Sequence, residues 1–392
     1  MAAEVLVIGG NHQNPLGIIE SLGQKGLRPY VIIHTEHRSS FVLKSKYIRR
    51  GWICNTGTDL FHCILDNFSH LSEKTVTIAC NDDMASFLGQ HYSELKDFLY
   101  LPVIPGNGMM RRWMDKEFQS VIAGRVGLTI PAEWRIKADD LPSDITYPCI
   151  TKSMTSVDNG KSEFSICRNL SELQSFFSTQ AHNEHVLAQK YIDKEFEYQL
   201  LGLSLNGGEE IIIPGRTHIE HACHFNNLVF LKYQEDMTDV GPSILHKVRA
   251  FIKQSGYSGL FSAEFMHGKD GTDYFLEVNF RNDGNGIAAT ASGTNLPYLW
   301  YLYCTGGDYI SELGKSEVED TYLMPEDSYF ITMLAGDVSF KEWRRNLKKT
   351  SCFLTYFKED RAPFLALLWL QKRPLAVAVA KMILRKLKIR YK

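Results

Sequence analysis

The chain opens on a short apolar run, EVLVI at 4–8, which Gly9 and Gly10 end and the amphipathic stretch PLGIIESLGQKG follows. A second apolar run, PYVIIH, occupies 29–34. Strand, helix and strand in that order predict a parallel sheet near the N-terminus. TVTIAC at 75–80 predicts a further buried strand, with NDDMASFLGQHYSEL as the helix after it. The glycine turn is not the G-x-G-x-x-G of a dinucleotide site, and no acidic residue closes VIIHTEH cleanly, so a plain strand-to-helix turn is expected. Proline and glycine punctuate LPVIPGNG (101–108) and TIPAEW (129–134), which sets a subdomain boundary near residue 104. Short strands follow: YPCITKS (147–153), EFSIC (163–167), HVLAQKYI (185–192), EYQLLGLSL (197–205) and EEIIIPGRTHI (209–219). The expected architecture is an α/β N-terminal part and a strand-rich α+β middle. No repeat of fixed period is visible.

One strand carries chemistry. In FLEVNFRNDGNG (275–286), Glu277, Asn279 and Arg281 fall at alternate positions and point to one face, while Phe275, Val278 and Phe280 serve packing. The bland reading is the wet face of a half-buried strand. Upstream, LFSAEFMHGKDGTDYFLEVNF holds two alternating runs around Asp270-Gly271, a hairpin signal of the I′ type. With those two residues at the centre of the turn, Glu264 stands opposite Glu277. Opposed Cβ atoms lie about 4.5–5.5 Å apart, so two carboxylates there require a cation between them. Glu264, Glu277 and Asn279 are hard oxygen donors, which suits magnesium on a polyphosphate better than zinc. Lys152 ends the strand YPCITKS before a small polar loop, a weak phosphate-cradle signal by itself.

Composition bounds the rest. The 392 residues are 44% apolar and 12% aromatic with a formal charge of −2, enough for two or three subdomains. Near-neutral charge argues against nucleic acid as the main partner. Eight cysteines, none in a CxxC pair, exclude a zinc ribbon and a dense disulfide framework. MAAEVLVIGG is not a secretory signal, so a reducing, cytoplasmic setting is expected.

Taken in order, these residues resemble the ATP-grasp carboxylate–amine ligases over roughly 4–310, and within them the D-aspartate ligase-like group. SKYI (45–48) and NDDM (81–84) are similar to segments of the domain that precedes the ATP-grasp fold. MDKEFQSVIAGRVGLTIPAEW (114–134), YPCITKS, VLAQKYI (186–192) and FLEVNFRN are similar to the family's two lysine segments, hinge and metal motif. The resemblance implies a Rossmann-like domain over 1–104, a small lobe over 105–190, a large lobe with the metal site over 191–310, and a C-terminal extension over 311–392. It implies ATP with Mg2+, or Mn2+ in its place. Lys116 and Lys152, with the loop at Gly160, would hold phosphates, and Gln189, Lys190, Tyr191 and Ile192 would read the adenine. Glu195 or Glu197 would bind the ribose, and Glu264, Glu277 and Asn279 the metal. Arg281 would stabilise an acyl phosphate. Arg216 is either a substrate-carboxylate or phosphate ligand or a solvated strand-end arginine. Ser153 and Phe280 replace prolines of the pattern, and Gly160 is alone where more glycines are common.

The implied substrates are a small carboxylate and an amine, in cell-wall or surface-polysaccharide precursor synthesis. The rivals are a carboxylase or carbamoyl-type enzyme and a non-catalytic nucleotide-binding subunit; a homodimer is the assembly the resemblance admits. His218, His221, Cys223 and His224 invite a zinc reading, but strand alternation puts 218 and 224 on one face and 221 and 223 on the other. They are expected to line the substrate pocket instead. From Ala362 to Lys392 there are eight basic residues and no acidic one. PFLALLWL is cut by QKRP, so neither half spans a bilayer. Beyond Pro374, Leu375, Val379, Ile383 and Leu387 share one stripe while Lys381, Arg385, Lys388 and Lys392 lie elsewhere. The helix predicted over 374–392 either docks on the protein or attaches peripherally to the anionic inner face of a membrane.

Overall fold

A computed structural model describes residues 3–152, 165–179, 186–222, 229–238, 240–315 and 319–371. The N-terminal apolar runs form β1 (Val5–Gly9), β2 (Tyr30–His34), β3 (Arg50–Cys54), β4 (Thr75–Ala79) and β5 (Leu99–Tyr100). They make one parallel sheet in the order β3-β2-β1-β4-β5. β1 and β4 are buried along their whole length, as continuous apolar strands covered on both faces must be. Helix α1 (Gln13–Gly23) follows the glycine turn, and α2 (Asp82–Gln90) follows β4. Gly9 is required by close packing: a Cβ there would fall 2.4 Å from Cγ of Pro15 and 2.9 Å from Cβ of Cys80.

Helix α3 (Lys116–Arg125) leads to a small antiparallel sheet of β6 (Glu133–Ile136), β7 (Cys149–Lys152), β8 (Ser165–Cys167) and β9 (Val186–Lys190). Its order is β6-β9-β7-β8. The large sheet contains β10 (Lys194–Leu205), β11 (Glu210–Ala222), β12 (Val229–Gln234), β13 (Gly259–Gly268) and β14 (Asp273–Asn279). β15 (Thr321–Met324) and β16 (Cys352–Phe353) extend it beyond residue 310, in the order β14-β13-β10-β11-β12-β15-β16. Helix α4 (Gly241–Ser255) buries Val248, Phe251 and Ile252 in one core with Tyr198, Leu200, Ala263 and Phe265. A second core joins Leu201, Leu203 and Leu260 to α5 (Leu296–Cys304), α1 and β1. The large sheet is thus sandwiched, and the N-terminal sheet shares its packing.

One buried acid links the two ends of the chain. Glu20, on α1, is 2% exposed and lies against Asp360, itself 3% exposed and accepting from the Lys46 N–H at 3.2 Å. Burial, then the contact with Asp360, pushes the Glu20 pKa up from 4.5 to about 9. The folded state therefore holds a proton that the unfolded chain releases near pH 4.5. Its stabilisation is complete below that pH and is lost as pH rises through about 9. Glu20→Gln, which keeps the shape and carries no proton to lose, is expected to remove up to about 1.4 kcal/mol of slope per pH unit in that window. Urea unfolding at a series of pH values checks this; parallel curves for the two proteins would show that Glu20 is not the protonated group.

Candidate active site

β13 and β14 bring two carboxylates together. Glu264 lies opposite Glu277, and Ser262 opposite Asn279. The turn that achieves this is not the two-residue Asp270-Gly271 turn. The Gly268 N–H donates to the Thr272 carbonyl at 2.9 Å, leaving a three-residue loop with Gly271 left-handed at φ 77°. That loop pairs Phe265 with Phe275, and the register then shifts by one between Glu264 and Phe265, where Leu276 is the extra residue. The two departures cancel at Glu264. The bulge also accounts for Phe275, which strict alternation would place beside Glu277. It is 1% exposed and packs with Phe251 and Phe265 in the core that holds Val278 and Phe280.

Amides hold the carboxylate pair. Asn279 Nδ2 and Gln199 Nε2 donate to the same Glu264 Oε1, at 2.8 and 3.1 Å. Asn285 Nδ2 in turn donates to Gln199 Oε1 at 3.0 Å. Burial, then Glu277 and Asp283, push the Glu264 pKa up to about 8, against the pull of Arg281 and Gln199. Lys116 Nζ stands 3.3 Å from Glu277 Oε2, and that carboxylate raises the lysine's pKa in spite of burial. The lysine opens α3 because Asp115 caps it, accepting from the Phe118 N–H at 2.8 Å. One helical turn later, Gln119 accepts from the Val278 N–H at 2.6 Å and donates to the Val278 carbonyl at 2.9 Å, binding α3 to the free edge of β14. Among the described residues no three His, Cys, Asp or Glu side chains converge on one point. The oxygen donors here are two carboxylates and an amide, a set that suits magnesium with phosphate and water completing its shell.

Arg281 lies just beyond β14. Its Nε donates to Asp82 Oδ1 at 3.0 Å and its Nη1 to Asp283 Oδ2 at 3.3 Å. Burial opposes its charge, but Asp82, Asp283 and Glu264 together raise its pKa. The next residue is tied to the N-terminal sheet. The Asn282 N–H donates to the Ala79 carbonyl at 3.1 Å, and Asn14 Nδ2 donates to the Asn282 and Cys80 carbonyls at 2.8 and 2.7 Å. Arg281 therefore sits at the carboxyl ends of β1 and β4, where the strand order reverses and ligand crevices form in parallel sheets.

A cavity of about 450 Å³ runs from Glu264 and Glu277 between the small and large sheets. Ile150, Ile166 and Leu187 line it from the small sheet, Met266 and Leu276 from the large one, with Lys116, Glu264 and Glu277 on its wall. Gln189, Lys190, Tyr191 and Ile192 border it. Gln189 Nε2 donates to Glu133 Oε1 at 2.6 Å, and the N–H groups of Lys190 and Tyr191 donate to the carbonyls of Ala132 and Pro148 at 2.8 and 3.0 Å. Glu197 lines the cavity and pairs with Lys194. Glu195 sits exposed at a β10 irregularity between Lys194 and Phe196 and does not line it. β7 ends on Lys152, opposite Leu187; the Lys152 side chain, Ser153 and Gly160 lie outside the described residues.

Arg216 is not brought to this site. It pairs with Leu200, which pairs with Ala263, whereas Gln199 pairs with Glu264, so Arg216 is on the opposite face of the sheet. At 3% exposed it is not a solvated strand-end residue: its Nε donates to the Asp236 carbonyl at 3.2 Å and its guanidinium lies over the Phe196 and Tyr198 rings. The histidines also differ from simple alternation. An irregularity between Ile219 and His221 lets His218 pair with Lys232 and His221 with Phe230, which puts both on one face. The His218 ring lies tilted against Phe196 and His221 meets Tyr329 edge-on, and neither lines the cavity. Cys223 and His224 lie outside the described residues.

No family model matches this sequence, and no curated protein sequence matches it. Solved structures do match the fold. An ADP complex of N5-carboxyaminoimidazole ribonucleotide synthetase is 13% identical, with a TM-score of 0.63 over 82% of this chain and 81% of that one. The L-amino acid ligase of Bacillus licheniformis is 15% identical, with a TM-score of 0.60 over 81% and 78%. The biotin carboxylase domain of Hydrogenobacter thermophilus 2-oxoglutarate carboxylase, solved as a dimer with MgADP, ADP and bicarbonate, is 14% identical, with a TM-score of 0.61 over 82% and 74%. Likeness at these identities speaks for architecture: the chain has the ATP-grasp fold, joined to an N-terminal parallel α/β sheet.

Proposed function

We propose that this protein is an ATP-dependent carboxylate–amine ligase that forms an amide bond by way of an acyl phosphate. The observation that carries the reading is the opposed pair Glu264 and Glu277, steadied by Asn279 and Gln199 and faced by Lys116, on the wall of a slot-like cavity. The apolar faces of Ile150, Leu187, Met266 and Leu276 suit an adenine ring, with the 189–192 segment along its edge and Glu197 at the ribose. Bound MgATP would supply the phosphoryl group and neutralise charge as it transfers. Glu264, Glu277 and Asn279 would hold the metal, and Lys116 would turn from Glu277 to phosphate. Lys152 and the Gly160 loop would complete the phosphate cradle. Arg281, fixed by Asp82 and Asp283, would meet the negative charge on the acyl phosphate and on the tetrahedral centre that amine attack creates. The lobes would divide near residues 104, 190 and 310.

Within this class, the order of motifs supports a place near the D-aspartate ligase-like enzymes, acting in the cytoplasm on a wall or surface-polysaccharide precursor. A homodimer is in keeping with the biotin carboxylase domain solved as a dimer. That structure, with its bicarbonate, also favours a second reading, in which bicarbonate is the acid. The test is a phosphate-release screen of the full-length protein against paired carboxylates and amines, including D-amino acids, nucleotide-linked sugars and muropeptides. Release that requires magnesium, one acid and one amine together is expected. Release on bicarbonate would support the carboxylase instead, and binding of nucleotide without release on any pair would make the protein a non-catalytic subunit.

A further inference from the structure

We infer that the C-terminal part of the chain docks on an anionic lipid surface through exposed faces of two helices. The net charge of −2 conceals a division. Residues 338–392 hold 15 Lys and Arg against 3 acidic residues, while the remainder holds 28 against 42. One helix presents part of this excess, and a second adds an apolar face. The first pair of elements after β15 is α6 (Glu326–Ala335) and α7 (Phe340–Lys349). On α7, Phe340, Lys341, Arg344, Arg345, Lys348 and Lys349 fall on one helical stripe, and all are exposed, Phe340 at 62%. The other side of α7 faces the protein: Asn346 Nδ2 donates to the Tyr329 hydroxyl at 2.7 Å, and the Trp343 ring lies against Phe330. The cations are therefore held outward by packing beneath them.

The helix over 362–371 adds apolar contact. Leu365, Trp369 and Leu370 are 61%, 67% and 45% exposed and share one side of it. Gln371, the last described residue, donates from Nε2 to Asp327 Oδ2 at 2.7 Å, so this helix and α7 both rest on α6. The 21 residues after it, with eight Lys and Arg and no acidic residue, include the helix expected over 374–392 and lie outside the described residues. Cations with exposed leucines and aromatics suit a headgroup region over acyl chains; a nucleic acid would offer the leucines nothing. Among the described residues no helix is long and apolar enough to cross a membrane.

The experiment is sedimentation of the full-length protein with vesicles of phosphatidylcholine alone or mixed with phosphatidylserine. Pelleting with the mixed vesicles at low salt and release at high salt are expected. R344Q/R345Q/K348Q is expected to weaken binding about a hundredfold, by the loss of three surface cations. L365S/L370S is expected to weaken it as well, with thermal melting unchanged in both variants. The inference is overturned by failure to pellet at low salt, by wild-type binding of the triple variant, or by tighter binding to a polynucleotide than to mixed vesicles.

Discussion

Glu277→Gln is expected to lower ADP formation by about a hundredfold or more while the protein stays folded. Loss of a partner that merely orients a metal ligand costs 10–100-fold, and a direct ligand should reach or exceed the upper end. The substitution keeps the shape of the side chain at β14 and the packing around Leu276 and Val278. It removes the charge that opposes Glu264 and that pairs with Lys116 at 3.3 Å. Relieved of its neighbour, Glu264 should also ionise more readily, since Glu277 is the second cause of its raised pKa. Turnover near the wild-type rate in Glu277→Gln would remove the hairpin from the metal site altogether.

Arg281→Ala is expected to leave nucleotide affinity nearly intact and to lower kcat by about 10²–10³, the cost of losing one donor to a developing oxyanion. Arg281 is anchored by Asp82 and Asp283 and does not line the cavity between the sheets, so under the proposed function its contact is with the reacting group and not with the adenine. Asp82→Asn, which loosens the anchor, should show the same pattern more mildly. Steady-state kinetics separates the alternatives: a raised KM for ATP at constant kcat would make Arg281 a ground-state nucleotide ligand.

Much of the site is legible in the residue pattern because it depends on local periodicity. The parallel N-terminal sheet follows from runs such as EVLVI and TVTIAC; the facing of Glu264 and Glu277 agrees with two alternating strands only because the three-residue loop and the Leu276 bulge cancel. What alternation cannot show is a bulge. Leu276 and the irregularity before His221 each add a residue to one strand, which moves Phe275 and His221 to the other face. The pattern is silent on partners distant in sequence. Gln199, Gln119 and Asp82 steady Glu264, β14 and Arg281 from elsewhere, and Asp82 was visible only as part of the NDDM resemblance. A lone strand arginine also cannot reveal its face; the ladder to Leu200 and Ala263, not composition, puts Arg216 opposite the cavity. The whole-chain charge misleads for a similar reason, since an average hides the basic stripe of α7.

Under the proposed function, Glu264 and Glu277 hold a metal-bound nucleotide in the cavity between the sheets. Calorimetric titration of the full-length protein with ADP, with and without magnesium, tests it most directly. The wild-type protein should bind ADP markedly tighter when magnesium is present, and Glu264→Gln/Glu277→Gln should lose that gain while still binding ADP. Equal affinity with and without magnesium in the wild-type protein, or an undiminished gain in the double variant, would contradict it.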